Sequence, residues 1–119
     1  MIDQEDHERI EVELLHAEAA RQDGFEGRAR VLARRAAGIA IRAYGRKHQL
    51  DLPYTSAYDL LNALDQMPGI PEDAHQAARF LTERVDSDFN LPAEMDLIAE
   101  TRRLVTALNT VTLPGETQH

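Results

Sequence analysis

The segment from residue 28 to residue 48 constrains the fold of this 119-residue chain more than any other. Small and apolar residues recur in it at helical spacing, so on an α-helix they share one broad arc. The arc consists of Ala29, Leu32, Ala33, Ala36, Ala40, Ala43 and Tyr44, extended by Ala37 and Ile41. Alanine is the strongest helix former, and its short side chain lets neighbouring helices approach closely. The pattern predicts the central helix of a bundle.

Further helices are predicted on both sides of this segment. An amphipathic first helix runs from about residue 5 to residue 22, and Gly24 and Gly27 interrupt the chain after it. A third helix begins after Pro53, where Ser56 and Asp59 have the spacing of a capping box. The remaining helices are predicted over residues 71–85, with Pro71 at the first helical position, and over residues 93–109, on either side of a loop.

The fold class predicted from these segments is all-α, an up-and-down helical bundle of four to five helices. The length fits a single domain over residues 1–109, followed by a flexible tail over 110–119. No apolar run is long enough for a membrane span, and the acidic start of the chain does not resemble an export signal. The chain has no cysteine, which excludes disulfides and thiolate sites. We therefore expect a cytoplasmic protein with no membrane partner.

Positive charge is concentrated in the central helix. The formal net charge of the chain is -8, yet residues 28–48 hold six arginines and one lysine and no acidic residue. Four of the arginines fall on one stripe of the helix: Arg28, Arg35, Arg42 and Arg46. Guanidinium groups at this spacing suit bidentate contacts with phosphate, so the stripe is the candidate surface for a phosphate or a partner. The alternative is that acids elsewhere in the chain or in a dimer neutralise the stripe.

Several segments resemble the HEPN domain, in which an alanine-rich helix with a basic position leads through a short proline-containing loop into a further helix. They are residues 33–44, Leu52-Pro53, Ala57-Tyr58-Asp59-Leu60-Leu61 and, further on, residues 78–81 and 89–92. Tyr58 stands where that family often has His, and Asn90-Leu91 precede Pro92 in place of Arg-Tyr. The resemblance implies a HEPN-like bundle, a homodimer, and nucleotide or RNA binding. It also implies a partner protein such as a nucleotidyltransferase, in toxin and antitoxin systems.

Some members of that family are metal-independent ribonucleases with an Arg and a His four to six residues apart. Arg42 and His48, separated by five residues, fit the spacing, with His48 as acid or base and Arg42 stabilising the transition-state charge. The family's pair usually lies on a later helix. We therefore predict a noncatalytic binding or regulatory module, with this nuclease as the alternative. A third possibility is an antitoxin or adaptor that acts by occlusion.

Two short motifs have the Glu-x-x-His spacing by which helical bundles hold paired metals: Glu13 with His16, and Glu72 with His75. Such a site also needs a Glu from each of two other helices, and the second and third predicted helices contain none. The sequence therefore predicts no metal site and no cofactor.

Overall fold

A computed structural model describes residues 2–82 and 96–110 of the chain. The described residues form five helices, and none of them lies in a β-strand. The helices are α1 (Gln4–Gln22), α2 (Glu26–Lys47), α3 (Ala57–Asp65), α4 (Glu72–Leu81) and α5 (Leu97–Asn109). The predicted all-α class is confirmed for this part of the chain. The predicted loop over residues 86–92 and, beyond Thr110, the predicted tail lie outside the described residues.

The helix starts follow from local side-chain chemistry. The carboxylate of Asp3 accepts a hydrogen bond from the backbone N–H of Asp6 at 2.9 Å, which caps α1. The Ser56 hydroxyl accepts from the N–H of Asp59 at 3.0 Å, so the cap predicted for α3 is confirmed. Pro71 is the residue before α4, so the helix begins one residue later than predicted.

The turn between α1 and α2 depends on one of the two predicted glycines. Gly24 adopts a φ of 86°, a left-handed conformation that glycine adopts without steric cost. Gly27 instead lies in the first turn of α2, so the prediction that it interrupts the helix is wrong.

Helix α2 is the centre of the bundle and packs against α1, α3 and α5. Every residue of its predicted apolar arc is buried. A polar contact also links α5 to this helix, because the buried Thr101 hydroxyl lies 3.1 Å from the carbonyl of Ala33 and 2.9 Å from that of Leu97 in its own helix, and its one hydrogen is shared between them. The predicted role of α2 as the central helix is therefore confirmed. No helix in the described ranges combines the length and the apolar character needed to cross a bilayer.

The third helix crosses α2 at a position that has no side chain. A Cβ atom placed on Gly38 would lie 3.2 Å from the Cβ of Ala57 and 3.7 Å from a methyl group of Leu60. The first turn of α3 therefore rests almost directly on the backbone of α2. This approach positions Ala57 and Leu60 beside the outward face of α2.

Candidate anion-binding site

A cleft of about 440 Å³ runs along the face of α2 that lies opposite the buried arc. It is bordered by α1 through Arg9 and by the start of α3 through Thr55 and Ala57. Five arginines line it: Arg9, Arg34, Arg35, Arg42 and Arg46. The remaining lining is apolar or small and consists of Val31, Gly38, Ile39, Thr55, Ala57 and Leu60. We call this feature the arginine cleft.

The helical repeat explains why these side chains meet. Residues three, four and seven positions apart share one face of a helix, and Val31, Arg35, Gly38 and Arg42 follow that spacing. The opposite face of α2 packs into the core, so this face points outward between α1 and α3. Val31 is 52% exposed, which shows that the apolar floor of the cleft is open to a ligand.

Among the described residues, Arg35 and Arg42 make no hydrogen bond to a carboxylate. The carboxylate there that comes nearest to Arg35 is that of Glu13, whose Oε1 lies 3.8 Å from Nη1, too far for a hydrogen bond. That oxygen is buried and accepts no hydrogen bond from the described residues. Arg42 donates to the backbone carbonyl of Tyr54. These two guanidinium charges are therefore only weakly compensated.

Arg9 and Arg46 share a single carboxylate. Nη1 of Arg9 donates to Oδ1 of Asp6 at 3.2 Å, and Nη2 of Arg46 donates to Oδ2 of the same residue. Only 6% of the Asp6 side chain is exposed, whereas the two arginine side chains are about 60% exposed. The guanidinium groups thus line the arginine cleft, whereas the carboxylate does not and instead lines a neighbouring pocket that shares Arg46.

Arg34 connects the arginine cleft to α4. Its Nε donates to the carbonyl of Leu81 at 2.6 Å. Burial, followed by repulsion from Arg30, lowers the pKa of Arg34 below the usual arginine value. Arginine nevertheless stays charged at physiological pH, so Arg34 contributes a positive charge to the cleft.

The charge of the arginine cleft is strongly unbalanced. Among the described residues, Arg9, Arg35, Arg42 and Arg46 have the carboxylates of Asp6 and Glu13 within ion-pair distance and no others, which leaves two positive charges in excess at these four positions. No carboxylate lines the cleft among the described residues. A concave surface with one sign of charge concentrates counter-ions, and guanidinium groups recognise phosphate and carboxylate through paired N–H donors.

The structure brings together three of the four predicted stripe residues. Arg35, Arg42 and Arg46 line the cleft, whereas Arg28 does not. The exposed side chain of Arg28 makes no ion pair or hydrogen bond within residues 2–82 and 96–110. The arginine cleft is therefore shorter than the predicted stripe, and it extends onto α1 through Arg9.

His48, the other half of the alternative nuclease pair, lies apart from the lining of the cleft. It is 8% exposed at the end of α2, and its ring packs against that of Tyr44 with the centroids 4.4 Å apart. Arg42 lines the cleft and His48 is not among its lining residues. The ribonuclease reading stays a prediction.

Two of the five cleft arginines were not part of the predicted surface. Arg34 belongs to the same basic segment, and the partial burial that sets it apart has no sequence signal. Arg9 lies on α1 and reaches the cleft through the packing of α1 against α2, which the helical repeat of either helix alone does not encode. A three-residue spacing between Asp6 and Arg9 was the one available hint of their ion pair.

The residues of the Glu-x-x-His motifs have other contacts. Glu13 faces Arg35, and Nδ1 of His75 lies 3.1 Å from a carboxylate oxygen of Asp65. Within the described part of the chain, no group of three or more His, Asp or Glu residues is placed to hold a metal ion.

Comparisons of the chain with protein-family models, with curated proteins and with solved structures gave no match. The chemistry of the arginine cleft is therefore the feature of this chain that points to a function.

Proposed function

We propose that this protein is a noncatalytic binding module that holds a small phosphate-bearing ligand in the arginine cleft. The single observation that carries the proposal is the excess of guanidinium groups over carboxylates in one concave site. Phosphate offers the oxygens that match the paired N–H donors of arginine, and it carries the charge that the cleft lacks.

The size and lining of the cleft favour a small ligand over a nucleic acid chain. Its volume of about 440 Å³ lies within the range of small-molecule sites. The protein carries a formal net charge of -8, which opposes a long polyanion. No aromatic side chain lines the cleft among the described residues, so a platform for stacked bases is missing there.

The cleft also has an apolar part. Val31, which is half exposed, and the partly buried Ile39 form an apolar surface between the arginines that phosphate alone would leave uncovered. A ligand with a phosphate group and a less polar part fits both surfaces. A nucleotide has this composition, and nucleotide binding is also what the resemblance to the HEPN domain implies.

We also propose a HEPN-like form of the helical bundle and partners for the protein. A HEPN-like bundle that forms a homodimer and acts beside a partner protein, such as a nucleotidyltransferase, is supported by the resemblance over residues 28–92 and by the all-α architecture. Light scattering tests the dimer directly. A mass close to the 13.4 kDa of one chain at all concentrations would argue against it.

The binding proposal is tested by titrating the protein with ATP and with tripolyphosphate at low ionic strength. A charge-assisted hydrogen bond contributes about 1.5–3 kcal/mol, so Arg35→Ala and Arg42→Ala should each weaken binding by about tenfold to a hundredfold. Added salt should weaken the wild-type interaction.

Two matched controls are available. Arg28→Ala removes the stripe residue that lies outside the cleft, and Arg102→Ala removes an arginine paired with Glu11 and Glu18 elsewhere on the surface. Both should bind almost as the wild type does. Absence of binding at low ionic strength, or equal losses in all four variants, would contradict the proposal.

A further inference from the structure

Asp6 is an unusual acidic residue because it is buried and bonds to two of the arginines that line the arginine cleft. It lies in the first turn of α1 and is 4% exposed, whereas Asp and Glu are almost never fully buried unless they are paired. Its two carboxylate oxygens bind the guanidinium groups of Arg9 and Arg46, one from each of two helices. The carboxylate thus occupies donors that face the arginine cleft.

The five arginines therefore fall into two groups. Arg9 and Arg46 are already engaged by the charge of Asp6. Arg42 donates to a neutral carbonyl group, as does Nε of Arg34, and Arg35 has a carboxylate no closer than 3.8 Å. A ligand therefore meets weakly compensated charge at Arg35 and Arg42, and a competing anion at Arg9 and Arg46.

Asp6 and a bound anion must compete for the guanidinium groups of Arg9 and Arg46. Removing both guanidinium groups from Asp6 would leave a buried charge without a partner, which is strongly unfavourable. A guanidinium group has five N–H donors, so a ligand can use those that Asp6 does not occupy. The ligand then lies near the negative charge of Asp6, and the repulsion grows with each charge that the ligand carries.

We propose that Asp6 is a specificity-determining residue of the arginine cleft, because it competes with the ligand for Arg9 and Arg46 and limits how steeply affinity rises with ligand charge. The inference rests on the proposed phosphate binding. It differs from a purely structural role, in which Asp6 only fastens α1 to α2 and its loss would disorder the two arginines.

The test compares Asp6→Asn with the wild type for three probes: inorganic phosphate, pyrophosphate and tripolyphosphate. Titrations at about pH 8 keep inorganic phosphate largely in its doubly charged form, because this pH lies above the second pKa of phosphate. We expect Asp6→Asn to bind phosphate about threefold more tightly and tripolyphosphate about tenfold more tightly, since the repulsion removed scales with ligand charge.

Glu11→Gln is the matched control. It removes one negative charge from the same helix, but Glu11 pairs with Arg102, which does not line the cleft. Its effect on all three probes should be small and nearly equal. Unchanged or uniformly weaker binding by a folded Asp6→Asn protein, checked by circular dichroism, would overturn the inference.

A second measurement decides the question if Asp6→Asn does not fold. Arg9 is engaged by Asp6 and Arg42 is not, so Arg9→Ala should weaken tripolyphosphate binding by a clearly smaller factor than Arg42→Ala does. Equal losses would overturn the role of Asp6 while leaving the binding proposal intact. Failure of the wild type to bind any of the three probes would instead overturn the proposed function itself.

Discussion

Two sets of arginines in this molecule differ sharply in how they are neutralised. On the side of α5, which we call the α5 surface, Arg102 pairs with Glu11 and Glu18, and its nearest oxygens lie at 2.9 Å and 3.2 Å. The same surface contains two further doubly paired arginines. Arg103 pairs with Asp73 and Glu100, and Arg21 pairs with Asp96 and Glu26. In the arginine cleft, Arg9, Arg35, Arg42 and Arg46 together have two carboxylates within ion-pair distance among the described residues.

The comparison shows that arginine content alone does not identify a binding surface. An arginine between two carboxylates has its charge compensated and joins helices that are distant in sequence, such as α1 and α5. An arginine beside backbone carbonyls keeps its charge available to a ligand. The ratio of carboxylates to guanidinium groups is what separates a structural surface from a candidate site.

Charge reversal at one arginine of each set should give the largest difference between them. Arg42→Glu replaces an uncompensated cation with an anion inside the cleft, so we expect tripolyphosphate binding to fall more than about a hundredfold, beyond the loss of one charge-assisted hydrogen bond. Isothermal titration calorimetry at low ionic strength measures the loss.

Arg102→Glu is the counterpart on the α5 surface. It places a third carboxylate beside Glu11 and Glu18, so it should lower thermal stability while leaving binding close to the wild-type value. Comparable binding losses in both variants would remove the distinction between the two sets.

A substitution that adds volume beside the cleft without changing its charge should have the next largest effect, in this case on the stability of the fold. Gly38→Ala places a Cβ atom 3.2 Å from that of Ala57, so Ala57 must shift by a few tenths of an ångström away from α2. Overpacking costs about 1–3 kcal/mol and the helical preference of alanine offsets about 0.5–1 kcal/mol of it, so we expect a net loss of stability, which urea unfolding followed by circular dichroism measures.

Gly27→Ala is the matched control, because nothing lies within 4 Å of the added atom and the residue is helical. It should instead stabilise the fold by about 0.5–1 kcal/mol. Equal effects of the two substitutions would mean that the cleft does not depend on the close approach of α3.

The smallest expected effect concerns the acid stability of the α5 surface. Burial raises the pKa of Asp96, but the hydrogen bonds from Arg21 and from the first backbone N–H groups of α5 outweigh it, so the pKa lies below its usual value. A carboxylate with a lowered pKa stabilises the folded state above its unfolded pKa of about 3.9, and this stabilisation is lost as the pH falls through the folded value.

Asp96→Asn should therefore be less stable than the wild type near neutral pH, and the difference should shrink below about pH 4. Asn still caps a helix, so the substitution isolates the charge. Urea midpoints measured across this pH range provide the check. A difference that stays constant down to strongly acidic pH would show that the Asp96 carboxylate does not contribute through its ionisation.

The five helices could be predicted because each is set by short-range information. The alanine arc of α2, the Ser56 cap of α3 and the turn at Gly24 depend on residues a few positions apart. Gly27 was misjudged because its backbone is helical in the structure, and glycine tolerates that conformation without requiring a turn.

The arginine cleft could be predicted only in part, because it depends on contacts across the bundle. The basic face of α2 gave Arg35, Arg42 and Arg46, but Arg28 has the same periodicity and lies outside the cleft. The helical repeat fixes the direction of a side chain and not the position of the helices beside it. For the same reason, nothing local indicates that Arg102 meets Glu11, 91 positions earlier in the chain.

The hydrogen bond from Arg34 to the carbonyl of Leu81 gives one residue two duties. The same side chain borders the cleft and satisfies a backbone oxygen at the last residue of α4. Lysine could supply the charge but not the planar geometry of the Nε donor, and glutamine could donate but would carry no charge. Among descendants of this chain, position 34 should therefore tolerate fewer replacements than a cationic position that bonds to no backbone carbonyl, such as position 28, even in a protein that binds nothing in the cleft.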